Sequence, residues 1–125
     1  MEDLKDILDD IRRSVPQVWG VAIVNEEGLP IDYKLARHLE MEDPVILGGL
    51  LASAVELMEK LVKELNSSSL DMVFAKGNRL VLIAGRVEGG SFTLLADPDV
   101  ELGPMMLKFR MYRGKIEEFM KSLIQ

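Results

Sequence analysis

The residues that could do chemistry in this chain are few, and none stands at a spacing that chemistry requires. His38 is the only histidine, so there is no histidine pair to hold a metal or to shuttle protons. Within Ala36-Arg37-His38-Leu39-Glu40 it reads as a solvated side chain. Cysteine is absent, which excludes disulfides, thiolate metal sites and thiol catalysis. Ser53 lacks a G-x-S-x-G setting, and Ser67-Ser68-Ser69 read as turn residues. Asp97-Pro98-Asp99-Val100-Glu101 alternates acids like the start of a calcium loop. Leu102, however, stands where that loop needs glycine, and Lys108 where it needs a bidentate acid. The run fits better as a polar turn before a helix, where acids interact favourably with the helix dipole. Gly48-Gly49 is followed by Leu50-Leu51 rather than a lysine and a serine, and no G-x-G-x-x-G follows a strand pattern. The chain is therefore expected to carry no catalytic residues, metal or cofactor, and to work by binding.

A length of 125 residues makes residues 1–125 a single domain by the length prior. The 21 acidic residues outnumber the 15 basic ones, for a formal charge of −6. The basic footprint that dominates nucleic-acid affinity is missing, so nucleic acid is not an expected partner. No apolar run approaches the ~18 residues of a membrane span, and direct membrane insertion is not expected. Met1 opens the charged segment Glu2-Asp3-Leu4-Lys5-Asp6 rather than a signal peptide, and a cytoplasmic protein is expected.

The element with most to position is a long helix over residues 44 to 65. Asp43 suits its N-cap and Pro44 its first turn. At about 100° per residue, Leu47, Leu50, Leu51, Ala54, Val55, Leu57, Met58, Leu61, Val62 and Leu65 form an apolar arc expected to lie on a core. The other face carries Gly48, Gly49, Ala52 and Ser53, two overlapping small-x-x-x-small pairs. Two glycines inside a helix cost about 2 kcal/mol relative to alanines. Close approach of a second backbone would offset that cost, and the same helix of another copy could supply it. The plainer alternative is that the glycines pass under a loop of their own chain. Under the first reading, leucine at Gly49 or Ala52 should break a dimer and spare the monomer.

Around that helix, Leu4, Ile7, Leu8, Ile11 and Val15 predict a first helix over 3–14 that ends before Pro16. Val18 to Val24 reads as a central strand, Asn25-Glu26-Glu27-Gly28 as a tight turn, and Leu29 to Leu35 as a second strand. Residues 36–43 read as a surface connection. Leu70 to Lys76, Arg79 to Val87 and Ser91 to Asp97 read as a meander joined at Gly77-Asn78 and Glu88-Gly89-Gly90. A last helix starts at Pro104, with Met105, Phe109, Tyr112, Ile116, Phe119, Met120 and Leu123 buried and Leu107 and Met111 outside. The order α-β-β-α-β-β-β-α predicts an α+β domain, one five-stranded antiparallel sheet with helices on both faces.

Three segments together resemble the roadblock-domain family, named for a dynein light chain and shared with bacterial and archaeal regulators of Ras-like GTPases. They are Trp19-Gly20-Val21-Ala22-Ile23-Val24-Asn25-Glu26-Glu27-Gly28-Leu29-Pro30-Ile31, the small-residue helix around Gly49 to Ser53, and Leu95-Ala96-Asp97-Pro98-Asp99-Val100-Glu101-Leu102-Gly103. The resemblance implies a profilin-like sheet with the long helix alone on one face and both terminal helices on the other. It also implies a homodimer in which the long helices pack antiparallel and the strand Leu70 to Lys76 pairs with its copy. Gly48, Gly49, Ala52, Ser53, Glu56, Lys60, Lys63, Met72 and Phe74 are then the expected dimer and partner surface. The partner implied is a small Ras-like GTPase, whose hydrolysis some members stimulate by reshaping it rather than by inserting an arginine. An adaptor subunit of a motor, signalling or membrane-associated complex, indifferent to nucleotide, is the alternative. A ligand sensor or enzyme on a related sheet is a third reading.

Overall fold

The computed structural model describes residues 3–39 and 43–124, so residues 40–42 of the expected surface connection lie outside it. Helix α1, Leu4–Ser14, starts where the Asp3 carboxylate accepts the Asp6 N–H at 2.9 Å. It presents Leu4, Ile7, Leu8 and Ile11 to the core. Strands β1, Val18–Asn25, and β2, Pro30–Leu35, flank a tight turn. There the Asn25 side chain accepts the N–H groups of Glu27 and Leu29, and Gly28 takes φ 86°, a left-handed conformation suited to glycine. One 3-10 turn, Arg37–Leu39, precedes helix α2, Pro44–Asn66. Asp43 caps α2 by accepting the Val45 N–H at 2.9 Å, and Ser67 closes it in the left-handed region at φ 58°.

Strands β3, Val73–Lys76, β4, Val81–Val87, and β5, Gly90–Ala96, form the meander, and α3, Leu102–Ile124, ends the fold. Strands β3 and β4 are shorter than the apolar runs that predict them. Gly77 N–H bonds to the Leu80 carbonyl, which draws Arg79 and Leu80 into the turn. Helix α3 begins before Pro104 because a proline in the first turn has no N–H to leave unpaired. All pairs are antiparallel, in the order β2-β1-β5-β4-β3, so β2 and β3 are the edges.

The two faces of the sheet are finished to different degrees. On one, α1 and α3 cover Val21, Ile23, Ile83, Phe92 and Leu94 with Leu8, Ile11, Met105, Phe109, Tyr112 and Ile116 in one large cluster. Phe92 stacks on Phe109 at 5.2 Å, and the Tyr112 hydroxyl bonds to Asp10 and Ser14 across the α1–α3 contact. On the other face α2 lies alone, and the buried cluster there is Ala22, Val24 and Leu51, with Leu47 and Ala52 at its margin. Ser91 and Thr93 also sit there, their hydroxyls buried without a protein partner. Small side chains at Gly20, Ala22, Ala84, Ser91 and Thr93 keep this face flat and let the helix come close.

Helix α2 is rotated away from the expected setting. Gly48 is buried, and a methyl on it would collide with the Gly28 carbonyl oxygen and meet Pro30 Cδ at 3.2 Å. The small-residue face therefore turns inward at Gly48 and Ala52, against the chain's own β1–β2 turn and β1. Leu50, Leu57, Leu61 and Leu65, expected in the core, are 63%, 64%, 47% and 75% exposed. The physical reason is that α2's apolar arc is wider than one sheet can cover. Close approach at the glycines buries the half bearing Leu51 and Val55 and leaves the other half in solvent. In α3, Leu123 is exposed and Phe119 only partly buried, while Leu107 and Met111 are exposed as expected.

The two glycines predict opposite responses to alanine. Gly48→Ala should lower stability by about 1–3 kcal/mol through overpacking. Gly49→Ala, with open space where its Cβ would stand, should raise stability by about 0.5–1 kcal/mol through helix propensity. Urea denaturation of both variants checks this.

Candidate functional site

The exposed half of α2 is a seam. Leu50, Ala54, Leu57, Leu61 and Leu65 recur at steps of four, three, four and four residues, the spacing at which two helices interlock. Ile46 extends the seam by one turn and is also exposed. On the α2 side of the sheet, Leu82 of β4 is half-buried and Val73 and Ala75 of β3 share its side.

Beyond β3 the sheet ends, and the two edges differ in how they are protected. Strand β2 opens on Pro30, which has no N–H, pairs with β1 across a bulge, and has the Tyr33 N–H occupied by the Asp32 carboxylate at 2.8 Å. Val73-Phe74-Ala75-Lys76 has no proline and no bulge. Met72 and Phe74 point to the α3 side: Met72 packs on the large cluster, while Phe74 is 42% exposed.

The outer flank of α2 carries the remaining expected site residues. Gly49 has open space above it, Ser53 is exposed, and Glu56 and Lys60 form an exposed i,i+4 ion pair at 3.6 Å. Glu56, Lys60 and Lys63 line a groove of about 460 Å³ with the Glu59–Arg86 pair on its wall. That pair, at 2.6 Å, ties α2 to β4, and the Glu59 carboxylate raises the Arg86 pKa above its ordinary value. Gly48 and Ala52 leave the exposed set, since both face their own chain. Ala52 packs at the margin of the Ala22–Val24–Leu51 cluster, so leucine there bears on the monomer's own packing as well as on any dimer. Arg86 and Glu59 escaped the sequence reading because they are 27 positions apart; only the fold joins them.

Among the described residues, no three of His, Cys, Asp or Glu cluster as a metal site. His38 lies edge-on to Trp19, ring centroids 4.5 Å apart. Asp97 accepts the Asp99 N–H and the Val100 N–H, a local turn ahead of α3. No helix among the described residues is long and apolar enough to cross a membrane.

Comparison with known proteins gives this fold a family. The model of the Roadblock/LC7 domain matches residues 4–96. The chain belongs to the Roadblock/LC7 domain family. Helix α3 lies beyond the matched span, yet solved roadblock structures include it. Myxococcus xanthus MglB superposes with a TM-score of 0.81 at 18% identity, covering 97% of this chain and 99% of that one. A Roadblock/LC7 domain from Streptomyces avermitilis gives 0.82 at 12% identity, covering 96% and 99%. Profilin II of Acanthamoeba castellanii gives 0.60 at 10% identity, covering 89% and 94%, which places this roadblock domain among profilin-like sheets. No curated protein matches it by sequence.

Asp71, just before β3, ties that strand to α3 in this roadblock domain. Its carboxylate accepts from Arg113 at 2.6 Å and from Arg110 at 3.3 Å, and its carbonyl accepts from Arg113 at 2.5 Å. The Arg113 hydrogen bond, joined by that of Arg110, holds the Asp71 pKa below its ordinary 3.8. A carboxylate lowered in this way stabilises the fold above its unfolded pKa and loses that effect as pH falls through the folded value. Asp71→Asn should lower stability at pH 7 by no more than about 1 kcal/mol, since the pair is largely exposed. The difference from wild type should shrink once pH drops below the unfolded value of about 3.9 and vanish only after pH has passed the lowered folded value; urea denaturation at pH 7 and at a series of acid pH values reads it.

Proposed function

We propose that this roadblock domain is a homodimeric, non-catalytic platform for a small Ras-like GTPase. The observation that carries the reading is the exposed leucine seam of α2 in a chain whose β3 edge is unprotected. A second copy, turned by a twofold axis, would lay its own seam against Leu50, Leu57, Leu61 and Leu65 and extend the sheet through β3. Both exposures would be removed in one step. An isologous contact suits antiparallel helices, because each residue meets its counterpart across the axis.

The outer flank, Gly49, Ser53, Glu56, Lys60 and Lys63, stays exposed in such a dimer and is the proposed partner surface. Open space over Gly49 permits close backbone approach there. Bulk at Gly49 then bears on partner docking more than on the dimer. The family resemblance supports a Ras-like GTPase as that partner and assistance without an inserted arginine as its mode.

Sedimentation velocity should find a dimer at micromolar concentration. Leu57→Asp and Leu61→Asp should each weaken it by about 2 kcal/mol, roughly 30-fold, as loss of a central apolar contact does. A monomeric wild-type protein would sink the reading. Immobilised dimer, exposed to lysate with a non-hydrolysable GTP analogue and again with GDP, should recover a Ras-like GTPase preferentially with the analogue. Identical recovery of other proteins in both arms would favour the adaptor alternative.

A further inference from the structure

We propose that the groove between α1 and the edge strand β2 binds a phosphate monoester, gripped by Arg12, Arg13 and Lys34. The groove lies on the sheet face opposite α2 and at the edge opposite β3, so the site does not depend on the dimer reading.

Asp9, Arg12, Arg13 and Lys34 line the groove, whose volume is about 310 Å³. Arg12 and Arg13 stand three and four positions after Asp9, which sets all three on the flank of α1 turned to β2. Lys34 comes from β2, on the α1 side of the sheet, because it opposes Val21 of the large cluster. It donates to the Asp9 carboxylate and so ties the strand to the helix. Arg12 is partly buried and Arg13 exposed, so the grip combines a sheltered guanidinium with an accessible one.

These two arginines carry charge that the fold does not use. Among the described residues, neither has a hydrogen-bond or ion-pair partner, whereas Arg86, Arg110 and Arg113 are each held by a carboxylate. Their place in the last turn of α1 suits the helix dipole, but that end carries only about half an elementary negative charge. Two guanidinium groups exceed it. Three cations and one anion give the lining a net +2 in a chain of net −6.

The surrounding charges do not cancel that surplus. Lys5, one turn before Asp9, adds to the cationic side. Asp6 stands six and seven positions before the arginines, about 9–10 Å along the helix axis. Asp32 shares Lys34's face of β2, but its carboxylate accepts the Tyr33 N–H. Asp10 bonds to Tyr112 on the α3 side, and Asp3 caps the far end of α1. Asp99 and Glu101 line a separate groove with Ser14 and Gln17. The hydrogen bond from Lys34, backed by the charges of Lys34, Lys5 and Arg13, holds the Asp9 carboxyl below its ordinary 3.8.

A phosphate monoester carries about −1.5 to −2 near pH 7 and has three strong acceptor oxygens. That charge matches the lining, and its oxygens suit two guanidinium forks with an ammonium beside them. A single carboxylate would leave one cation unmatched.

The test titrates nitrogen-15-labelled protein with glycerol 3-phosphate and reads the amide shifts of Asp9, Arg12, Arg13 and Lys34, with sodium chloride at matched ionic strength as the blank. Phosphatidic acid in phosphatidylcholine vesicles presents the same group on a membrane, and phosphatidylcholine alone is its blank. Saturable shifts with glycerol 3-phosphate support the site and assign a free ligand. Co-sedimentation with phosphatidic acid vesicles alone supports it and assigns a lipid headgroup. With either probe, Arg12→Gln and Arg13→Gln should each weaken binding about ten-fold. Asp9→Asn, which removes the one anion of the lining, should tighten it about three-fold. Both arginines lie outside the core, so their variants keep the fold. Binding of neither probe, shifts that sodium chloride reproduces, or binding that none of the three variants changes overturns the site.

Discussion

The contact on which the arrangement depends is the backbone-to-backbone approach of α2 to the β1–β2 turn. Gly28 at φ 86° brings its carbonyl up to Gly48, and the absence of side chains on both lets the helix settle there. A helix held at that point cannot roll. Leu51 is pressed onto Ala22 and Val24, Val55 is buried, and the Glu59–Arg86 pair ties the helix to β4. The half-arc that remains, Leu50 to Leu65, is thereby committed to solvent or to a partner.

That constraint makes the two faces of the sheet unequal. The α1–α3 face is a finished core of interlocked large side chains. The α2 face is built of small residues under a single helix and is too thin to bury the apolar surface that α2 carries. Apolar burial is worth about 25 cal/mol per Å², so four exposed leucines on one stripe represent several kcal/mol available for association. The free β3 edge adds a directional element, since hydrogen bonds fix register where an apolar seam would permit sliding.

The element order and most of the large core were legible in the residues. Caps such as Asp3 and Asp43, the Asn25–Gly28 turn and the periodicity of α1 and α3 are local signals, read within a few positions. The alternation of β3 is also visible, but which of its sides would be left uncovered depends on where α3 comes to lie. Phe74 was legible as an edge residue; that 42% of it would stay exposed on the α3 side was not. Contacts such as Asp71 with Arg113 and Asp9 with Lys34 span dozens of positions and carry no local mark.

By itself, the sequence determined the order of helices and strands, the absence of histidine and cysteine chemistry, and the existence of two glycines that some backbone must approach. It left open which backbone, and there only the tertiary structure could decide. A 3.6-residue period reveals how wide an apolar arc is, yet not which part of that arc meets the sheet, because rotation about the helix axis leaves the pattern unchanged. The collision that a side chain at Gly48 would make with Gly28 sets that rotation. It turned Gly48 and Ala52 inward and Leu50, Leu57, Leu61 and Leu65 outward.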